Sequence, residues 1–358
     1  MMTRRQFIER MLALGLSSAS IAAILETAAC APKPPASAPT SVPPTLAPTD
    51  VPKPVLPTAT MASVAATSVP PAATPVPTAV SPTAAAVPAS QAYLAVARGD
   101  DPATITERAV KALGGIERFV KKGQSVLVKP NICVAYHGPE YAATTNPQVV
   151  AALVKMCREA GASSVTVMDH PFGGTADKAY QISQIGDAVK AAGGQMALMG
   201  SAKFKDTPIP EGKDLKKWPI YQDALKFDVI MDVPIAKTHG LARLTLAAKN
   251  LMGLSEDRGS LHANLGERLI DLYTLFKPKL IVIDAYRMLM ANGPTGGNLN
   301  DVKLAKTVIA SHDMVAADAY ATTLFGIKPD QISYVKAGAA RGIGTMDLKS
   351  IKIEEITA

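Results

Sequence analysis

The 358 residues carry 37 basic and 30 acidic side chains, and no Lys/Arg block is interleaved with aromatics, so nucleic-acid binding is set aside. Three cysteines, Cys30, Cys133 and Cys157, are too few for a disulfide framework or a four-thiolate cluster. Sixteen of the 28 prolines fall between Ala31 and Ser90, a stretch without glycine or aromatic residues, so a packed core is expected only from residues 91–358.

Residues 1–29 have the layout of an export signal, with Arg4, Arg5 and Arg10 first, an apolar run from Met11 to Leu25, and small residues before Cys30. The run is too short for a membrane span. Thr3-Arg4-Arg5-Gln6-Phe7-Ile8 resembles the twin-arginine export motif, an address read by a receptor. Thr27-Ala28-Ala29-Cys30 resembles a lipobox, with threonine where leucine is commonest, so Cys30 is expected to be lipidated. The mature protein would then be tethered at the outer face of the cytoplasmic membrane; simple cleavage, leaving it free outside, is the alternative. Residues 30–90 read as a spacer, because repeated Pro with Ala, Thr and Ser favours polyproline II over collapse.

From Ala92 onward apolar β-type runs alternate with helical patterns, which predicts an α/β fold: a mostly parallel sheet flanked by helices, as one large domain or two packed lobes. The strand candidates are Tyr93–Ala97, Ser125–Val128, Ser164–Met168, Gln195–Met199, Phe227–Asp232, Lys279–Ile283 and Lys306–Ala310. One helix starts near Thr104, with Ile105, Ala109, Val110, Leu113 and Ile116 on one side. A second begins at Asn146-Pro147, a cap followed by proline at the first helical position, and stops at Gly161. Thr175 caps a third that runs to Gly193-Gly194, Leu261–Phe276 forms another, and Asp313 caps the last, Met314–Phe325. Gly240–Leu254 is apolar all round and is expected to be a buried helix.

Polar residues follow four of the strands: Lys129 and Asn131, Asp169 and His170, Lys237 through Gly240, and Asp284. In a parallel sheet these carboxyl ends share one edge, where α/β folds bind ligands. Helix capping explains an isolated Asp but does not call for lysine at two ends. Lys249-Asn250 lies within the apolar Gly240–Leu254 run, and burying that lysine demands an acid, a ligand or water beside it. Were the helix to start at His239, then His239, Arg243, Leu246 and Asn250 would form one stripe. Gly293, Thr295, Gly296 and Gly297 offer backbone N–H groups to an anion, or room for another backbone. Arg258 and His262 stand at a helix start, which also favours anions. Asp169 and Asp284 are candidate ligands for a divalent metal, although no ligand spacing is present. No zinc-protease, paired CxxC or GxSxG motif occurs.

Val126-Leu127-Val128-Lys129-Pro130-Asn131, Thr144-Thr145-Asn146-Pro147, Asp232-Val233-Pro234, Lys237-Thr238-His239-Gly240, Leu246 to Gly253 and Gly293-Pro294-Thr295-Gly296-Gly297 together resemble the domain of unknown function 362 family. The resemblance runs in order over almost all of Tyr93–Ile353. It implies an α/β domain with its motif residues in one pocket, and a family whose activity is unsettled. Many relatives carry a cysteine-rich ferredoxin-like segment; this chain lacks those cysteines, so no iron–sulfur cluster is expected.

The first hypothesis is therefore an exported enzyme for a small anionic carboxylate or phosphate. Lys129, Asn131, Lys237, Asn250 and the glycine loop would hold the substrate, and His239, Lys249 and Asp284 would act on it, with or without a divalent cation. A tethered receptor for an anion or metal is the second hypothesis, and a redox-accessory protein, by analogy with the iron–sulfur relatives, the third.

Overall fold

The computed structural model describes residues 93–358; the expected leader, the lipidation site Cys30 and the spacer lie outside the described residues. Strands are β1 (Leu94–Arg98), β2 (Ser125–Pro130), β3 (Ser164–Val167), β4 (Gln195–Met196), β5 (Phe204–Pro208), β6 (Lys217–Tyr221), β7 (Val229–Val233), β8 (Ile235–His239), β9 (Arg243–Thr245), β10 (Leu280–Leu289), β11 (Val302–Ser311) and β12 (Ile353–Thr357). Helices are α1 (Pro102–Ala112), α2 (Pro147–Glu159), α3 (Ala176–Ile182), α4 (Ile185–Ala191), α5 (Ala247–Asn250), α6 (Arg258–Leu261), α7 (Leu265–Phe276), α8 (Met314–Thr323) and α9 (Ser333–Ala340).

One large mixed sheet runs in the order β12-β1-β11-β10-β7-β2-β3-β4, with β8 paired to β10 and to β9. The run from β10 through β7, β2 and β3 to β4 is parallel, as are β1 with β12 and β10 with β8. Antiparallel pairing enters only around β11 and in the short β8–β9 hairpin. A separate two-stranded ribbon, β5–β6, stands beside it.

Alternate strand residues serve opposite faces, as the two-residue period of a strand requires. Val126 and Val128 of β2, Val229 and Met231 of β7 and Val282 of β10 face α1, α2 and α4. Leu127, Ile230, Ile281 and Ile283, from the same strands, face α7, α8 and α9. With both faces covered, the central strands need apolar residues at consecutive positions, which is why they read as unbroken runs. No helix among the described residues is long and apolar enough to cross a membrane.

The expected caps are present: Asn146 accepts from Gln148 N, Thr175 from Lys178 N and Asp313 from Ala316 N. Four expectations need correction. The Thr175 helix breaks at Ser183, where Gln184 turns to φ 61° before α4 begins. The strand from Gln195 ends at Met196. The helix expected from Leu261 is preceded by the turn α6 and a 3₁₀ turn, and its regular part starts at Leu265. Gly240–Leu254 is not one helix: it completes a hairpin, forms β9, then α5 and a 3₁₀ turn over Leu251–Leu254. An all-apolar run fits a buried strand as well as a buried helix, so periodicity could not decide between them. His239 sits on β8 opposite Arg243, and its Nδ1 accepts from Leu241 N and Ala242 N, closing the turn.

Candidate functional site

The carboxyl ends of β2, β3 and β8 meet the turn that carries α5, and a recess of about 240 Å³ opens between them. Its floor is a hydrogen-bonded network built on Asn250. The Asn250 Oδ1 accepts from Lys129 Nζ at 2.8 Å and Asn131 Nδ2 at 3.0 Å. Its Nδ2 donates to Asp232 Oδ1 at 2.7 Å and to the Lys129 carbonyl at 3.1 Å. Every donor and acceptor of this amide is thereby used, which fixes its orientation.

Two of the lysines are equally committed. Lys129 Nζ pairs with Asp169 Oδ1 at 2.9 Å and also donates to Asn250 and the Pro130 carbonyl. Lys237 Nζ donates to Asn131 Oδ1 at 2.9 Å, to the Ala143 carbonyl at 2.6 Å and toward Cys133 Sγ at 3.1 Å. An ammonium has three protons, so both are saturated. Behind them Asp232 is fully buried with Oδ2 unpartnered, and burial pushes its carboxyl well above the usual range.

Lys249 differs. It is 7% exposed, and among the described residues its Nζ meets only the Met252 sulfur at 3.3 Å and His262 Nε2 at 3.4 Å. Burial, followed by the cations Lys237 and Arg258, brings its pKa down to about 7. His262 Nδ1 lies 2.9 Å from the Arg258 carbonyl, which can only accept, so the proton resides on Nδ1 and Nε2 turns its lone pair to Lys249. His239 has the opposite tautomer: with Nδ1 accepting from two backbone amides, its proton is on Nε2. Burial and the neighbouring Lys249, His262 and Lys237 lower its pKa to about 3. With that lowered pKa and with Nδ1 engaged by the backbone, His239 presents a neutral Nε2–H donor. The two imidazoles stack with centroids 5.7 Å apart. Arg258 donates to the His170 and Pro171 carbonyls. Among the described residues Lys237, Lys249 and Arg258 form no ion pair, and Asp169, already bound to Lys129, is the carboxylate at the recess.

The sequence-predicted residues Lys129, Asn131, Asp169, Lys237, His239, Lys249 and Asn250 all line this recess. Asp284 does not. Its Oδ2 accepts from Asn146 N and its Oδ1 from Tyr286 N, so it serves the start of α2. Burial raises it to about 6. Asp169 and Asp284 have no partner in common, and no group of three or more His, Cys, Asp or Glu side chains among the described residues is arranged for a metal. Gly293, Thr295, Gly296 and Gly297 also stay out of the recess. A Cβ on Gly293 would lie 1.9 Å from the Thr238 carbonyl, so the glycine is required by close backbone approach to β8, and only Pro294 of this loop reaches the cavity.

The model of a family described as "Domain of unknown function (DUF362)" matches residues 126–323. The chain belongs to the DUF362 family. All recess residues named above fall within the DUF362 match. The chain is 27% identical over 252 residues to the thylakoid-associated protein sll1697 of Synechocystis sp., covering 65% of this chain and 73% of that protein. Among solved structures, the lactate racemase apoprotein of Thermoanaerobacterium thermosaccharolyticum aligns with a TM-score of 0.38 at 13% identity, over 63% of this chain and 56% of that one.

Cys133, Thr245 and Met252 line the DUF362 recess without having been singled out in the sequence, and Arg258 and His262 had been read as a helix start. Cys133 carried a usable signal, since it stands two residues after Asn131 in the same post-strand loop. Arg258 and His262, an anion-favouring helix start in the sequence, do reach the recess, but their approach to Lys249 was not legible because it depends on how the turn after Leu254 folds back.

Proposed function

We propose that the recess binds a small carboxylate or phosphate anion and that the protein is an enzyme in which Lys249 serves as base or nucleophile. One observation carries this reading: Lys237, Lys249 and Arg258 converge on a single cavity without an ion-pair partner among the described residues. Gathering like charges at low dielectric is unfavourable, and a bound anion offsets it. The cavity lies below the usual ~300–1,000 Å³ of drug-sized ligand pockets, which favours a compact substrate. A pKa of about 7 leaves a large share of Lys249 as free amine at neutral pH, the state that attacks or takes a proton. His239 Nε2–H supplies a donor for a substrate oxygen on which charge develops.

The twin-arginine-like and lipobox-like segments, residues 1–30, support export and tethering of this enzyme through Cys30 at the outer face of the cytoplasmic membrane.

A thermal-shift screen of organic acids and phosphates against the wild type and Lys249→Met tests the proposal. The expected result is stabilisation of the wild type by several degrees with at least one anion class, and loss of that response in the variant. A wild type that responds to none of these anions would overturn it.

A further inference from the structure

Three features of the proposed anion site offer more than a simple carboxylate or phosphate requires. The first is Lys249 Nζ, held by a thioether sulfur and an imidazole lone pair, with no carboxylate among the described residues to keep it charged. The second is His262 Nε2, a proton acceptor 3.4 Å from that nitrogen, its tautomer fixed by the Arg258 carbonyl. The third is the neutral N–H of His239, on the ring stacked against His262 and lining the same cavity. A nucleophilic amine, a proton acceptor beside it and a neutral hydrogen-bond donor form a set that matches a carbonyl group. Arg258, whose guanidinium has N–H donors beyond the two it gives to the His170 and Pro171 carbonyls, remains to hold a carboxylate next to that carbonyl, with the charge of Lys237 close by.

Resting on the anion-site reading, we infer that the substrate is a small oxo acid and that Lys249 forms an imine with its carbonyl carbon. The Nζ lone pair attacks the carbon while His239 Nε2–H hydrogen-bonds the carbonyl oxygen. The first N–H proton passes through His262 Nε2 to that oxygen, giving a carbinolamine; the second follows by the same route, and the oxygen departs as water as the C=N bond forms. Amine and carbonyl thus give imine and water, with no oxidant or reductant. With one proton taken up from solvent, the imine carries a positive charge beside the substrate's own carboxylate, and it acts as an electron sink for bonds to the neighbouring carbon.

Glyoxylate, pyruvate and 2-oxobutyrate are suitable probes, with propionate as a carboxylate that lacks the carbonyl. Full-length protein is incubated with each acid at pH 7, with and without cyanoborohydride, and adducts are located by peptide mass mapping. Thermal shifts are recorded in parallel. At this pH the buried amine should be unprotonated about a thousandfold more often than a lysine at the ordinary 10.5, so labelling should concentrate at Lys249. The expected result is stabilisation by propionate and by oxo acids alike, a reduced adduct at Lys249 with at least one oxo acid, and none with propionate. Lys249→Arg, which retains the charge, should lose the adduct. Stabilisation by these acids without an adduct at Lys249, or with adducts spread evenly over surface lysines, overturns the imine and leaves the anion site standing. Absence of stabilisation by any acid overturns both.

Discussion

Gly253 shows how tightly the floor of the recess is set. A Cβ there would lie 2.0 Å from Asp169 Oδ1 and 2.6 Å from Lys129 Nζ, so glycine is required by the ion pair rather than by backbone conformation. Gly253→Ala should force the pair apart at a cost of about 1–3 kcal/mol, read as a lowered denaturant midpoint, and should weaken the response to anions. A variant of unchanged stability would show that the 3₁₀ turn can shift without disturbing Lys129. At this scale the sequence exposed the residue types and only part of their roles. Lysine at the carboxyl end of a strand was informative because capping does not need it, and Lys129 on β2 and Lys237 on β8 both reach the recess. Aspartate at this edge was ambiguous: Asp169 and Asp284 both accept from backbone amides, yet only Asp169 lines the recess, and nothing local distinguishes them. His239 was legible as a recess residue but not as a donor, because its tautomer depends on the hairpin that follows it.

Asp318, on α8, shows how one element positions another. Its two carboxylate oxygens accept from Ala247 N at 2.7 Å and Ala248 N at 3.0 Å, the first amides of α5. Leu246, the residue before α5, has no side chain able to cap it, so Asp318 does so from a distant part of the chain. Lys249 and Asn250 lie on this four-residue helix, so Asp318 is a positioning residue for both. Asp318→Asn keeps the shape but turns an amide N–H toward a backbone N–H, and should cost about 1–3 kcal/mol. The thermal midpoint should fall, and anion-induced stabilisation should fall further than in a surface control. Retention of the full anion response would remove this role. Longer amphipathic elements such as α1 and α2 were legible because their caps and apolar faces are local. α5 was not, since it is held from elsewhere and its apolar surroundings conceal its period.

Across the whole molecule the parallel core was legible, as both faces of the sheet are covered and the strands must be apolar throughout. The antiparallel β11 was not, because strand direction depends on the path of the long loop before it. The same sheet concentrates charge at one edge, and global stability should report that charge with a definite sign. Lys249 has a folded pKa of about 7 against 10.5 in the unfolded chain. Below pH 7 it is protonated in both states and the fold bears the full cost of a buried ammonium. Between pH 7 and 10.5 the unfolded chain holds the extra proton, so this group's contribution to stability rises with pH. Lys249→Met removes the charge and leaves only a thioether and an imidazole lone pair without it. The variant should therefore be more stable than the wild type below pH 7, by a few kcal/mol at most, since each tenfold change in proton affinity is worth about 1.4 kcal/mol. That advantage should shrink toward zero by about pH 10. Lys237→Met should behave differently, because it strands Asn131 Oδ1 and the Ala143 carbonyl, and it should destabilise by about 2–4 kcal/mol. Denaturant curves for the three proteins at pH 6, 8 and 10 separate these outcomes. A Lys249→Met advantage independent of pH would mean that Lys249 keeps its proton throughout and cannot supply the free amine.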